Sequence, residues 1–182
     1  DGHSGAKFPG WVVQNQRYVF GLADWFRRYD VPAGGLIRVR PGREDGEVLV
    51  EAVDPRRRND WIRTATVGEG GRIGLTMLKH PVGTAYDDRR IVGVIDRRAL
   101  EQAWQNTSQR TLPLDRLVTQ MFRELSKLNP QTTVHAEALY SVVNVVRRVP
   151  PGPILAELVN RPYFEPVGDH YWRLNEDEWK KA

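Results

Sequence analysis

Cysteine is absent from the 182-residue chain, which removes disulfides, thiolate metal sites and cysteine nucleophiles at once. Lysine is scarce: of 27 basic residues five are lysine (Lys7, Lys79, Lys127, Lys180, Lys181), leaving 22 arginines. The four histidines, His3, His80, His135 and His170, are scattered without ligand spacing. No apolar run approaches the roughly 20 residues that a bilayer crossing needs, so no membrane partner is expected. No nucleophile-elbow pattern occurs, and Gly68-Glu69-Gly70-Gly71 is too short for a phosphate loop and lacks a following lysine. Asp87-Asp88 could hold a metal, but Arg89-Arg90 follow directly, and the four together read better as a charged surface turn. Glu178-Trp179-Lys180 resembles a nuclease ending only superficially, because it lies in a polar tail. The expectation is therefore a protein that is no enzyme, with no cofactor and no metal.

What remains is ordinary globular composition with a basic bias. Apolar residues make up 40% and charged residues 27%, enough for a buried core. The net charge is +4 and the pI near 9.6. Residues 1–100 hold 17 basic against 13 acidic side chains, and residues 101–182 hold 10 of each. Arginine's planar fork suits phosphates and guanine edges, although a GC-rich genome gives the same bias. The start, Asp1-Gly2-His3-Ser4-Gly5, carries no signal-type apolar region, and the expected location is cytoplasmic.

Two zones are expected, 1–107 and 112–176, about a polar seam at Asn106–Thr111. The first opens with the strand-like Trp11-Val12-Val13 and Arg17-Tyr18-Val19-Phe20. Leu22, Trp25, Phe26 and Tyr29 then fall on one face of a short helix that Pro32 ends. Leu36–Arg40 alternates, with Ile37 and Val39 expected inward and Arg38 and Arg40 outward, about 7 Å apart at 3.3–3.4 Å per residue. Val48–Val53 returns across a hairpin. After Arg56-Arg57-Arg58 come strands at Trp61–Ala65, Ile73–Leu78 and Ile91–Ile95. Asp96 stands as N-cap before a helix carrying Leu100, Ala103 and Trp104.

The second zone reads as helices closed by a hairpin. Leu114, Leu117, Val118, Met121, Phe122, Leu125 and Leu128 form one amphipathic face, with Pro113 in the first turn. A second helix is expected from Val134 to Arg148, capped by Thr133, with Ala136, Leu139, Tyr140, Val143 and Val146 buried. Pro150-Pro151-Gly152-Pro153 breaks it, and Ile154–Asn160 makes a third helix. Phe164–Val167, the Gly168-Asp169 turn and Tyr171–Leu174 make the hairpin.

The order helix, helix, turn, helix, hairpin from Leu112 to Leu174 resembles winged-helix domains, with Phe164–Leu174 as the wing. In DNA-binding members the helix before the wing enters the major groove. Here that helix, Ile154–Arg161, is mostly apolar and carries Glu157, so Asn144, Arg147 and Arg148 before it, and His170 and Arg173 on the wing, are the better contact candidates, although His170 reads better as an exposed turn histidine. Arg147 and Arg148 equally suit a helix C-terminus. More loosely, Arg17–Val53, with Trp25-Phe26 and a Pro-Ala-Gly turn, resembles pseudobarrel DNA-binding domains of plant transcription factors and restriction-enzyme effector domains. Their pattern usually has an acidic residue where this chain has Gly35. That resemblance implies a basic concave sheet lying along the major groove.

The fold expected is α+β, with a mostly antiparallel barrel-like N-terminal sheet and a C-terminal winged helix. The expected function is non-catalytic binding of double-stranded DNA, as a regulator or targeting module, through Arg38, Arg40, Arg56, Arg57, Arg58, Arg63, Trp61, Asn144, Arg147, Arg148 and Arg173. Neutralising six phosphates would give a log–log salt slope near −5. The rival expectation is a protein-interaction or homo-oligomerisation module, using the apolar third helix and exposed tryptophans.

Overall fold

A computed structural model describes residues 1–14, 18–53, 56–105 and 111–181, and the expected seam lies almost wholly outside them. The protein is α+β. It divides into two compact units: Asp1–Asp60 with His80–Tyr86, and Trp61–Lys79 with Asp87–Ala182. These units cut the chain differently from the two zones read in the sequence. They also redistribute its charge. The first unit holds 10 basic against nine acidic residues, the second 17 against 14, so most of the positive excess lies in the second.

In the first unit, β1 (Trp11–Val13) and β2 (Tyr18–Phe20) form an antiparallel ribbon in which Trp11 stands opposite Phe20. Helix α1 (Ala23–Arg28) buries Trp25 against the rings of Phe26 and Tyr29. A second antiparallel ribbon pairs β3 (Ile37–Pro41) with β4 (Val48–Ala52), in the register Val39 to Val50 and Arg38 to Glu51. Gly34 sits at φ 74, and a Cβ there would lie 2.4 Å from the Tyr86 nitrogen, so only glycine lets these backbones meet. At Gly35 a Cβ would meet the Val31 side chain at 2.8 Å, so a larger residue there would have to displace it.

The expected alternation fails on β3. All five of its residues are exposed, Ile37 and Val39 among them, because β3 pairs with β4 and no further strand of the described residues joins that ribbon. No sheet among the described residues closes into a barrel. They form two ribbons and two three-stranded sheets.

The second unit holds the main core. Strand β5 (Arg58–Val67) is central in a sheet with β6 (Ile73–Val82) and the two-residue β7 (Gly93–Val94), which pairs with it in parallel. Ile62, Thr64 and Ala65 are buried. Helix α2 (Arg97–Gln105) starts as expected: the Ala99 N–H donates to the Asp96 carboxylate at 3.0 Å. In α3 (Leu114–Ser126), Leu117, Val118, Met121, Phe122 and Leu125 line one buried face.

The next segment departs from the expectation. Val134–His135 is a short strand, β8, and α4 spans Ala136–Val146. The cap is His135, whose Nδ1 accepts the Glu137 N–H at 3.2 Å, and Thr133 plays no such part. Strand pairing explains the shift, since Trp172 and Tyr171 pair with Val134 and His135. Tyr140, expected inside, is exposed. Helix α5 (Pro151–Asn160) buries Ile154 and Leu158; then β9 (Phe164–Gly168) and β10 (Tyr171–Leu174) form the hairpin, giving the strand order β8-β10-β9. The polar tail is a helix, α6 (Glu176–Lys181), with Trp179 against Tyr163 at 5.9 Å. No helix among the described residues is long and apolar enough to cross a membrane.

His135 carries a pH prediction. Burial is the first cause lowering its pKa, Arg89 and His170 add to this, and Glu137 and Asp88 oppose it. Its Nδ1 must also stay unprotonated to accept the Glu137 N–H. The folded state therefore binds fewer protons than the unfolded state below the ordinary value of 6.5. Stability is complete above that value and falls as pH drops through it toward the lowered pKa. Thermal melts between pH 7.5 and 5.5, about one unit either side, should show this decline in the wild type. In His135→Asn, which keeps a capping side chain, the decline should be smaller.

Candidate functional site

Ion pairing decides what the N-terminal arginines can do. Arg38 and Arg40 do project from one side of β3, but both close on Glu51, at 3.5 and 2.6 Å. Glu51 is there because the hairpin register sets it opposite Arg38. Arg57 is held by Asp30, and Arg58 reaches Asp60 at 3.3 Å while its guanidinium lies 6.0 Å from the Tyr86 ring. Arg63 is largely covered and reaches Asp88 at 3.4 Å. Arg56 sits just before β5, is exposed, and has an interaction of its own.

Exposed ion pairs are worth only about 0–1 kcal/mol, so phosphates could break them. The displaced carboxylates would nevertheless remain nearby, and each phosphate contact would release less net charge. Five arginines with four carboxylates in their grip do not make an open cationic groove.

Trp61 is 57% exposed on β5, and it too makes an interaction. Asp87 and Asp88, the candidate metal pair, are tied to Arg90 and Arg63. No group of three or more His, Asp or Glu residues among the described residues could hold a metal ion.

The C-terminal candidates separate into two kinds. Asn144 is consumed by the backbone. Its amide N–H groups donate to the carbonyls of Tyr140 (2.9 Å) and Val149 (3.0 Å), and its oxygen accepts the Val149 N–H at 3.2 Å. It closes the turn after α4 and is not available to a base edge. Asn144→Ala leaves those groups unpaired and should lower stability by about 1–3 kcal/mol in denaturant unfolding. Arg147 likewise donates to the Leu112 carbonyl at 2.7 Å. Arg148 and Arg173 are exposed, and neither pairs with a carboxylate among the described residues.

The apolar surface is distributed unevenly between the units. Among the described residues, 24 apolar side chains are buried, and of these Trp25, Val50 and Val82 belong to the first unit. Of the 18 large apolar side chains exposed among the described residues, 11 belong to it. Most sit on the two ribbons: Trp11, Val12, Val19 and Phe20 on β1–β2, and Ile37, Val39, Val48 and Leu49 on β3–β4. Isolated two-stranded ribbons are marginal in water. The outer edge of β4 is met in part by the N-terminal segment, the Gly2 N–H donating to the Val50 carbonyl and the Ala52 N–H to His3 Nε2, each at 2.9 Å. In the second unit α5 exposes Leu155 and Val159, beside an internal Glu157–Arg161 pair at 2.7 Å.

The signal for this surface was present in the sequence. Trp11–Val13 and Val48–Val50 are apolar without alternation, a pattern that belongs to strands covered on both faces. Comparison with protein-family models, with curated proteins and with solved structures gives no match.

Proposed function

We propose that the chain is a non-catalytic association module. Its first unit presents the exposed apolar side chains of its β-ribbons to a second copy of the chain, and its second unit carries a winged helix over residues 112–174. The observation that carries this reading is the placement, among the described residues, of 11 of 18 exposed large apolar side chains on a unit with three buried ones. A second copy is the occupant that fits best, because antiparallel edge pairing is self-complementary about a twofold axis. The first unit's near-neutral balance of 10 basic and nine acidic residues sets little repulsion against that pairing.

The winged-helix reading is supported by the order α3-β8-α4-α5-β9-β10 and by the antiparallel sheet β8-β10-β9. The face of α5 offers Leu155 and Val159 as a lesser apolar surface, and its one cation, Arg161, is engaged by Glu157.

Sedimentation equilibrium from about 10 to 500 µM tests the reading, a range that covers interfaces of about −4.5 to −7 kcal/mol. Mass should rise toward that of two copies. A monomer throughout would defeat it.

DNA binding stands as the second reading, favoured by Arg148 and Arg173, two exposed cations without a carboxylate. Two phosphate contacts give a log–log salt slope of about −2, in place of −5. A titration with a steeper slope would restore the arginine set to the interface.

A further inference from the structure

A cleft of about 390 Å³ runs along the outward side of α3, lined chiefly by Arg72, Arg116, Gln120, Arg123, Lys127 and Trp179. Helical spacing builds most of it, since residues 116, 120, 123 and 127 recur at intervals of three and four and share one stripe. The same helix turns its apolar stripe to the core. Arg72 comes from the turn before β6, and Trp179 from α6.

Two of the guanidinium groups are already ordered. Arg116 lies 4.0 Å and Arg123 5.1 Å from the Trp179 ring centre, within cation–π range. Glu176 accepts the Arg123 Nε–H at 2.8 Å and a second N–H on its other oxygen. Lys127 is paired with Glu124. Among the described residues Arg116 pairs with its chain neighbour Asp115, at 3.9 Å. Arg72 is exposed, with no carboxylate partner among the described residues. Four cations therefore face three carboxylates, Glu124 in the lining with Glu176 and Asp115 beside it, and a bidentate fork is satisfied at Arg123.

We propose that this cleft binds a phosphate-bearing anion, held by Arg72 and Arg116 and supported by Lys127. Three carboxylates against these four cations leave an excess of one positive charge, which falls on Arg72, and the Asp115 contact of Arg116 is long at 3.9 Å. A phosphate brings two negative charges and enough acceptor oxygens for several guanidinium N–H groups. The volume is many times the roughly 30 Å³ share of one water, so a phosphate enters with its ester substituent or with further phosphates. Free polyphosphate or nucleotide and a nucleic-acid backbone share this chemistry. The site is separate from the ribbons and does not depend on association of the chain.

Isothermal titration of the full chain with tripolyphosphate at low salt tests the site. The wild type should bind. Arg72→Gln, an exposed position outside the core, should weaken binding about tenfold, the loss of one charge-assisted bond. Glu176→Gln should strengthen it, because Arg123 is released to the ligand. A duplex oligonucleotide that displaces tripolyphosphate identifies a nucleic-acid backbone as the source, and one that does not identifies a small phosphate. Absence of binding at millimolar tripolyphosphate overturns the proposal, as does equal affinity in the wild type and Arg72→Gln. Substitutions on the ribbons should leave this affinity unchanged.

Discussion

Replacing Phe122 by alanine is expected to destabilise the second unit by about 3–5 kcal/mol, enough to remove most of a small domain's stability. Phe122 is fully buried on α3, and its ring lies 5.1 Å from that of Phe164 on β9. Truncation removes a large ring from water-free surroundings and leaves a cavity between a helix and the hairpin. Neighbours such as Leu117, Met121 and Leu139 are themselves fully buried and have little freedom to collapse into it. Denaturant unfolding followed by circular dichroism measures the loss. A cost below about 1 kcal/mol would show that this helix face is not the centre of the packing.

The second large effect concerns association. Val12→Lys together with Val39→Lys places an ammonium on each ribbon, at side chains that are 71% and 57% exposed. Covering each valine contributes about 1 kcal/mol, and a dimer contains four of them. Their loss amounts to roughly a thousandfold in the dissociation constant. Monomer stability should change by about 0.5 kcal/mol or less, because both positions are already in water. Weaker self-association with unchanged folding supports the ribbon interface. Unchanged self-association removes it.

Local chemistry was legible in the sequence, and long-range pairing was not. The stripe of α3, the Asp96 cap of α2 and the hairpin after Tyr163 each follow from residues within a few turns of one another. Glu51 lies 13 positions from Arg38, and only the register of the β3–β4 ribbon makes it the shared counter-ion of Arg38 and Arg40. Asp30 and Arg57 are likewise 27 positions apart. The helical reading of Val134–His135 failed because β10, far along the chain, claims those two residues as a strand. Ile37 and Val39 alternate as a half-buried strand should, but alternation says only which residues share a face, not whether anything covers it. Asn144 has the chemistry of a base reader and is spent on a turn instead.

The distribution of charge also depends on long-range pairing. Counting along the chain assigns the positive excess to residues 1–100, whereas the compact units place most of it in the second unit, where Arg72 and Arg116 line the cleft on α3. The first unit is nearly balanced, and its distinguishing feature is apolar surface.

Amide hydrogen exchange at low and high protein concentration tests that feature most directly. Amides of β1 to β4 should slow as concentration rises, while those of α5 and the β9–β10 hairpin should not. Slowing confined to α5 and the hairpin, or no dependence on concentration anywhere, would contradict it.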